Sequence, residues 1–271
     1  MSLKVTHHVY IPDTQCKPGV KMAQMRWAGQ YIADEYAGSK HTIRLIGAGD
    51  GADMESLSSW DKGKGTMEGR RVVKDLDAAR EGWGQFEEGL ANHKHKLWVP
   101  DSKDFTLGNH EDRITRAIES DTHTLDGLLS LDMLPYKDYG WTVHDFLKVI
   151  KLDGVLYSHY FQAQGTGRPL GGENIKLLIR KIGGSFAQGH KQGLDIGMVY
   201  TADGRQMNGL IAGSFYMHNE NYMGQGNNQH WRGIVVCHDV RQGQYEVMPV
   251  SLDYLCRRYE GKRLSQYLGR H

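Results

Sequence analysis

Five short polar motifs interrupt this chain in a fixed order, each at or near the end of an apolar, β-branched or aromatic run. They are Asp13-Thr14-Gln15, Gly49-Asp50-Gly51-Ala52-Asp53, Gly108-Asn109-His110-Glu111, the single His159, and Gly189-His190-Lys191-Gln192. A run of that kind reads as a buried strand, and a polar side chain just beyond a strand is rigidly held while the following loop admits a ligand. Asp, Asn, His and Gln are also the side chains that bind hard and borderline divalent cations. The pattern therefore constrains the fold to sheets whose strand ends gather at one place, with ligands enough for two metal ions.

The order of these motifs resembles the calcineurin-like metallophosphoesterase superfamily, whose pattern is D-x-H, G-D-x-x-D, G-N-H-E/D, H and G-H-x-H. The resemblance covers roughly residues 9–195, and the chain looks most like the small members found in bacteriophages and bacteria. It implies an α/β fold, a four-layer αββα sandwich of two mixed sheets flanked by helices. It also implies hydrolysis of phosphate esters. Two cations would neutralise the anionic ester and convert a bridging water to the attacking hydroxide.

Residue by residue, the resemblance assigns a first metal site to Asp13, Gln15, Asp50 and Gln192. The second site is Asp50, Asn109, His159 and His190, with Asp50 bridging. In the family the positions of Gln15 and Gln192 carry His. Residues at i and i+2 of an extended segment point the same way, so Asp13 and Gln15 can face one ion, as can His190 and Gln192; the resemblance implies that both departures fall on the first site. An amide oxygen is a neutral, hard donor, which gives that site more oxygen character and weaker retention. Mn²⁺ is the expected cation, with Mg²⁺, Fe²⁺, Zn²⁺ and Ni²⁺ as alternatives. His110 is the expected general acid, with Asp53 holding its ring. Met54 stands where the family often places a phosphate-gripping Arg, leaving Arg113 and Arg168 as candidate substrate-binding residues.

Composition sets the outer limits. A chain of 271 residues can bury one sizeable core, and 39% hydrophobic with 24% charged residues is ordinary for a globular domain. The formal net charge of +1 supplies no bulk attraction for nucleic acid or membrane, so tight extended duplex binding is disfavoured. Three cysteines without CxxC spacing fit a reducing compartment, the cytoplasm, or the host cytoplasm for a phage-encoded chain. No apolar stretch approaches the roughly 20 residues that span a membrane.

The remaining expectations concern organisation. Residues 1–271 are expected to form one domain, with a charged helical insertion at about 56–95 near the mouth of the site. Apolar spacing predicts a helix over 20–36 and another over 113–131, and Leu152-Asp153-Gly154 marks a hairpin. Residues 162–173 read as a glycine-rich loop. Residues 216–231 read as a solvated loop or a substrate wall. Glu111 reads as a carboxylate that caps and bonds nearby backbone N–H groups. The histidines at 7, 8, 93, 95, 218, 230 and 238 fall outside the motifs and read as strand or surface residues. The favoured activity is a phosphodiesterase acting on nucleic acid or nucleotides. The alternatives are a phosphomonoesterase or protein phosphatase, or a metal-binding interaction protein with weakened catalysis.

Overall fold

A computed structural model describes residues 4–95, 97–170, 174–220 and 228–269. Within them the strands form two mixed sheets. The first has the order β11-β10-β1-β2-β3-β4 and comprises Gln244–Ser251, Gly233–Arg241, Thr6–Ile11, Thr42–Gly47, Ser102–Thr106 and Thr142–His144. Strands β1 to β4 run parallel, while β10 and β11 add an antiparallel ribbon beside β1. The second has the order β5-β6-β7-β9-β8 and comprises Ile150–Leu152, Val155–Tyr157, Phe186–Gln188, Gln206–Ala212 and Leu194–Tyr200.

Period-two alternation explains how these sheets stack. On β1, Val9 and Ile11 face helices while Tyr10 faces the other sheet. On β10, Ile234 and Val236 face helices while Val235 and Cys237 face inward. The second sheet repeats the scheme: Ala187, Leu210 and Ala212 face the first sheet, and Phe186 and Ile211 face outward. Three apolar interfaces therefore separate four layers. Helices α1 (Ala23–Tyr36), α2 (Val72–Ala91) and α6 (Leu252–Glu260) cover the first sheet, and α5 (Ile175–Ile182) covers the second. This is the four-layer αββα sandwich that the resemblance implied. Short helices α3 (Asp112–Ser120), α4 (Thr122–Leu125) and α7 (Leu264–Tyr267) complete the set among the described residues. None of these helices is long and apolar enough to cross a membrane.

His8 fastens the two sheets together. From β1 it reaches across the interior, with Nδ1 2.6 Å from the Tyr157 hydroxyl and Nε2 2.9 Å from Asp153 Oδ2. Asp153 and Gly154 turn the β5–β6 hairpin with φ of 47° and 91°, the double positive φ of a tight hairpin turn.

Several elements differ from the sequence reading. The helix predicted over 113–131 ends at Ser120 and breaks into α4 and a 3₁₀ turn at Leu131–Met133. Segment 56–95 divides in two. Its second part, α2, is a full member of the outer layer, because Ala79, Trp83, Phe86 and Leu90 form one buried stripe against α1 and the sheet. Only the 3₁₀ turns between Glu55 and Met67 and the residues up to Arg71 stand apart, and these reach the cleft described below. Residues 171–173 of the glycine-rich loop and 221–227 of the polar stretch lie outside the described residues.

Candidate metal centre

The motif residues meet at the carboxyl ends of β1, β2, β3, β6 and β7. Tight turns deliver them. Gln15, Asp50 and His190 all have positive φ, 41°, 48° and 64°, which costs a non-glycine residue strain that its surroundings must hold. The surroundings here are two loops pressed together. A Cβ on Gly108 would sit 2.2 Å from Asp50 Oδ1 and 2.3 Å from its backbone nitrogen, so only glycine lets the β2 and β3 loops touch.

Glu111 is the bolt through that contact. Its carboxylate is fully buried and accepts hydrogen bonds from the backbone N–H of Asp50 (2.9 Å), Gly51 (2.7 Å), Ala52 (3.0 Å) and Gly108 (2.8 Å). The Tyr136 hydroxyl donates a fifth, at 2.7 Å. The expected bonding to N–H groups is present, but it does not cap α3: the side chain closes the β2 loop instead.

Four donor atoms converge beside this bolt. Asn109 Oδ1 lies 2.9 Å from His159 Nε2 and 2.8 Å from His190 Nδ1, and His159 Nε2 lies 3.4 Å from Asp50 Oδ2. Ligand atoms about 2.0–2.2 Å from one cation are separated by distances of this size. His159 Nδ1 is 2.7 Å from the Ala48 carbonyl, so Nδ1–H donates there and Nε2 is the nitrogen turned toward the other ligand atoms, the one a cation would take in place of its proton. Among the described residues, Asp50, His159 and His190 form the one group of three acidic, histidine or cysteine side chains with convergent ligand atoms.

The charges describe a site short of cations. Burial pushes Asp13 up to about 7, reinforced by Asp50, although His159 opposes it. Burial pulls His159 down, yet Asp50 and Asp13 outweigh it and raise it to about 9. Burial and the neighbouring His159 lower His190 to about 4. Asp50 is held well below the usual carboxylate range against its burial, by His110 and His159.

The first-site residues are placed differently. Asp13 is buried and accepts from the His190 backbone N–H at 3.1 Å to each oxygen. Gln15 is 2% exposed, and its Oε1 has no hydrogen-bond partner among the described residues. A buried acceptor without a partner is costly, and it lies in the wall of the same cleft as Asp50. Gln192 also lines the cleft, but its Oε1 already accepts from the Tyr216 hydroxyl at 3.1 Å. The donor set thus fits an oxygen-rich cation beside Asp13 and Gln15, and a mixed nitrogen–oxygen cation beside Asn109, His159 and His190.

His110 and Asp53 also sit together, with Nδ1 2.9 Å from Asp53 Oδ1. Burial lowers the imidazole, but Asp50 and Asp53 outweigh it and raise the net value. Arg113 lines the cleft, donates to the Asp53 carbonyl at 2.9 Å, and brings Nη2 to 3.1 Å from His110 Nε2. Arg168 is exposed on the 162–170 loop and is absent from the cleft wall.

The cleft has a volume of about 640 Å³. Sequence reasoning left several of its wall residues unnamed, among them Lys17, Arg70 and Glu220, although Arg70 lies in the 56–95 stretch expected near the mouth and Glu220 in the 216–231 stretch read as a solvated loop or a substrate wall. Lys17 bridges Asp53 (3.5 Å) and Glu220 (2.7 Å), and Arg70 from the turn segment pairs with Glu55 at 3.3 Å. Lys17 follows Gln15 by two positions, a signal that was available; Arg70 and Glu220 carry no motif.

Compared with protein-family models and with curated proteins, the chain matches none.

Proposed function

We propose that this protein is a divalent-metal-dependent phosphoesterase of the calcineurin-like type, acting on phosphodiesters. The observation that carries the reading is the convergence of Asn109 Oδ1, His159 Nε2, His190 Nδ1 and Asp50 Oδ2, with the His159 tautomer fixed by Ala48. Asp13, Gln15 and Asp50 would hold one cation, and Asp50, Asn109, His159 and His190 the other. Mn²⁺ suits this mixture of oxygen and nitrogen donors. Bound there, two cations would supply charge neutralisation at the phosphoryl oxygens and a nucleophile at neutral pH.

The chain's own groups do the rest. Asp53 holds the Nδ1 side of the His110 ring, and the proton on Nε2 goes to the departing alkoxide oxygen. Protonated His110 and Arg113 are both donors, 3.1 Å apart, and an anionic ester oxygen between them satisfies both. Lys17 keeps Asp53 ionised and in place from its other side. The open cleft leaves room for a second ester group, which favours diesters. Nucleotides or single strands match the near-neutral net charge better than long duplexes.

The test is Mn²⁺-dependent hydrolysis of an aryl phosphodiester. Asp50→Ala and His190→Ala should each abolish it, and His110→Ala should lower kcat by about 10²-fold or more. Unchanged turnover in Asp50→Ala would overturn the assignment.

A further inference from the structure

A second cavity opens at the other end of the strands from the metal centre. It has a volume of about 610 Å³ and lies at the amino ends of the parallel strands β6, β7 and β9. Two hairpin turns, one from each sheet, form part of its wall. Asp153-Gly154 joins β5 to β6 and Gln242-Gly243 joins β10 to β11, with φ of 47°, 91°, 52° and 86°. The two turns are pressed together. The Gly243 N–H donates to the Asp153 carbonyl at 2.9 Å, and a Cβ on Gly154 would stand 2.4 Å from the Gly243 nitrogen. Left-handed Asp153 and Gln242 are strained positions that only such packing holds, so this wall is built before any ligand arrives.

The lining is cationic. Lys151 on β5, Arg205 just before β9 and Arg241 at the end of β10 reach it from three separate segments. Among the described residues none of the three pairs with a carboxylate. Elsewhere on the surface such charges neutralise each other, as Arg80 does with Asp138 and Arg258 with Glu35. Asp153 is the one carboxylate in the lining, and its Oδ2 is already engaged by Arg44 Nε at 2.6 Å and His8 Nε2 at 2.9 Å. The carboxyl end of α5 also reaches the cavity, at Gly183, but its partial negative charge is outweighed by three full positive ones.

Neutral donors complete the wall. Ser185 is 4% exposed, and its Oγ accepts from the Asn208 N–H at 3.0 Å, which leaves its own proton to donate. The Gly184 N–H meets no acceptor among the described residues, and without a side chain a ligand can come up to the backbone there. Guanidinium groups grip phosphoryl oxygens in bidentate fashion, and a cavity of this size holds a whole small molecule rather than one small ion. Cations on three segments around it match a ligand with several phosphoryl groups in a row.

We propose that this cavity is a binding site for a polyphosphate anion, the chemistry shared by inorganic tripolyphosphate and the triphosphate of a nucleotide. Arg205 and Arg241 grip the phosphoryl groups, Lys151 adds charge, and Ser185 and Gly184 donate from the wall. The cavity shares no residue with the metal centre, and the proposal does not depend on the function proposed above.

The test is calorimetric titration of the full-length protein with tripolyphosphate, orthophosphate and adenosine triphosphate. Tripolyphosphate should bind about 10-fold or more tighter than orthophosphate, and should raise the thermal midpoint by linkage. Arg205→Gln/Arg241→Gln changes two exposed side chains, so it should fold with the wild-type midpoint. It should bind tripolyphosphate about 10-fold or more weaker, since each arginine supplies charge-assisted hydrogen bonds, and should lose the ligand's effect on the midpoint. Asp50→Ala/His190→Ala, which strips the metal centre, should keep this binding; should it fail to fold, the arginine pair decides alone. Equal affinity for the two triphosphates assigns recognition to the phosphoryl chain, and tighter binding of adenosine triphosphate assigns it to a nucleotide. Tripolyphosphate binding undiminished in Arg205→Gln/Arg241→Gln, or no tighter than that of orthophosphate, would overturn the proposal.

Discussion

Replacing Glu111 by Gln is the sharpest test of how the site is held. One carboxylate oxygen accepts from Gly51 N, Ala52 N and Tyr136 Oη, and the other from Asp50 N and Gly108 N. A glutamine can keep the first set with its carbonyl oxygen. Its NH₂ group must then face the Asp50 and Gly108 N–H groups, donor against donor. Two hydrogen bonds to a charged acceptor are lost, and such bonds contribute about 1.5–3 kcal/mol each, so the expected loss is about 4 kcal/mol. For a chain of this size, with a midpoint shift of about 2–4 °C per kcal/mol, that amounts to about 10 °C.

The assay is thermal and urea unfolding of wild type, Glu111→Gln and Tyr136→Phe. Tyr136→Phe removes one donor but leaves both oxygens occupied, and should cost only about 1 kcal/mol. Because Asp50 and Asn109 ride on the loops that Glu111 joins, Glu111→Gln should also weaken metal binding. Tyr136→Phe should leave it intact. A midpoint for Glu111→Gln within about 2 °C of wild type would refute the reasoning, since two buried N–H groups cannot lose their acceptor at so small a cost.

Three further outcomes follow from the same geometry. Restoring imidazoles with Gln15→His and Gln192→His should tighten the first cation and shift it toward Zn²⁺, read by metal stoichiometry and competition; indifference to the double change would show that these side chains do not face the ion. Stability should fall as pH drops below His8's ordinary value of 6.5, because burial depresses the folded-state imidazole despite Asp153, so the unfolded chain takes up a proton that the folded one refuses; urea midpoints across pH 7 to 5 should show this slope flattened in His8→Gln. Deleting residues 59–69 with a short Gly/Ser join should leave a folded protein with altered substrate preference, whereas deleting 56–95 removes Trp83 and Phe86 from the core and should prevent folding, as circular dichroism would report.

The strands and the polar residues at their ends were legible because their physics is local. A β-branched run followed by Asp or His reads the same wherever it occurs, and Val9, Ile46, Phe105 and Ala187 all end up in the sheets their runs predicted. The helix α2 was legible in principle, since Ala79, Trp83, Phe86 and Leu90 keep helical spacing, but the surrounding charges disguised it as an insertion. Strand β4 (Thr142–His144) and helix α6 were missed because each is short and gains its stability from neighbours: β4 from pairing with β3, α6 from burying Leu252 and Leu255 against the sheet's helix layer.

The site shows the same division at higher resolution. The family resemblance implies that Gln15 and Gln192 stand where two imidazoles would; it cannot say that they are unequal. Gln192 has its oxygen engaged by Tyr216, a residue 24 positions away, while Gln15 holds an acceptor in the buried wall without a partner among the described residues. A buried acceptor left so is uphill by about 1–3 kcal/mol unless something donates or coordinates to it. Of the two, Gln15 is therefore the one whose environment demands a ligand, and Gln192 is the one whose environment already provides a substitute. Single variants should separate them: Gln15→Ala should loosen the first cation strongly, and Gln192→Ala only as far as Tyr216 had been holding the loop around His190. Equal losses of affinity in the two single variants, measured by Mn²⁺ titration, would mean that the Tyr216 bond gives way when the cation binds and that both amides coordinate it alike.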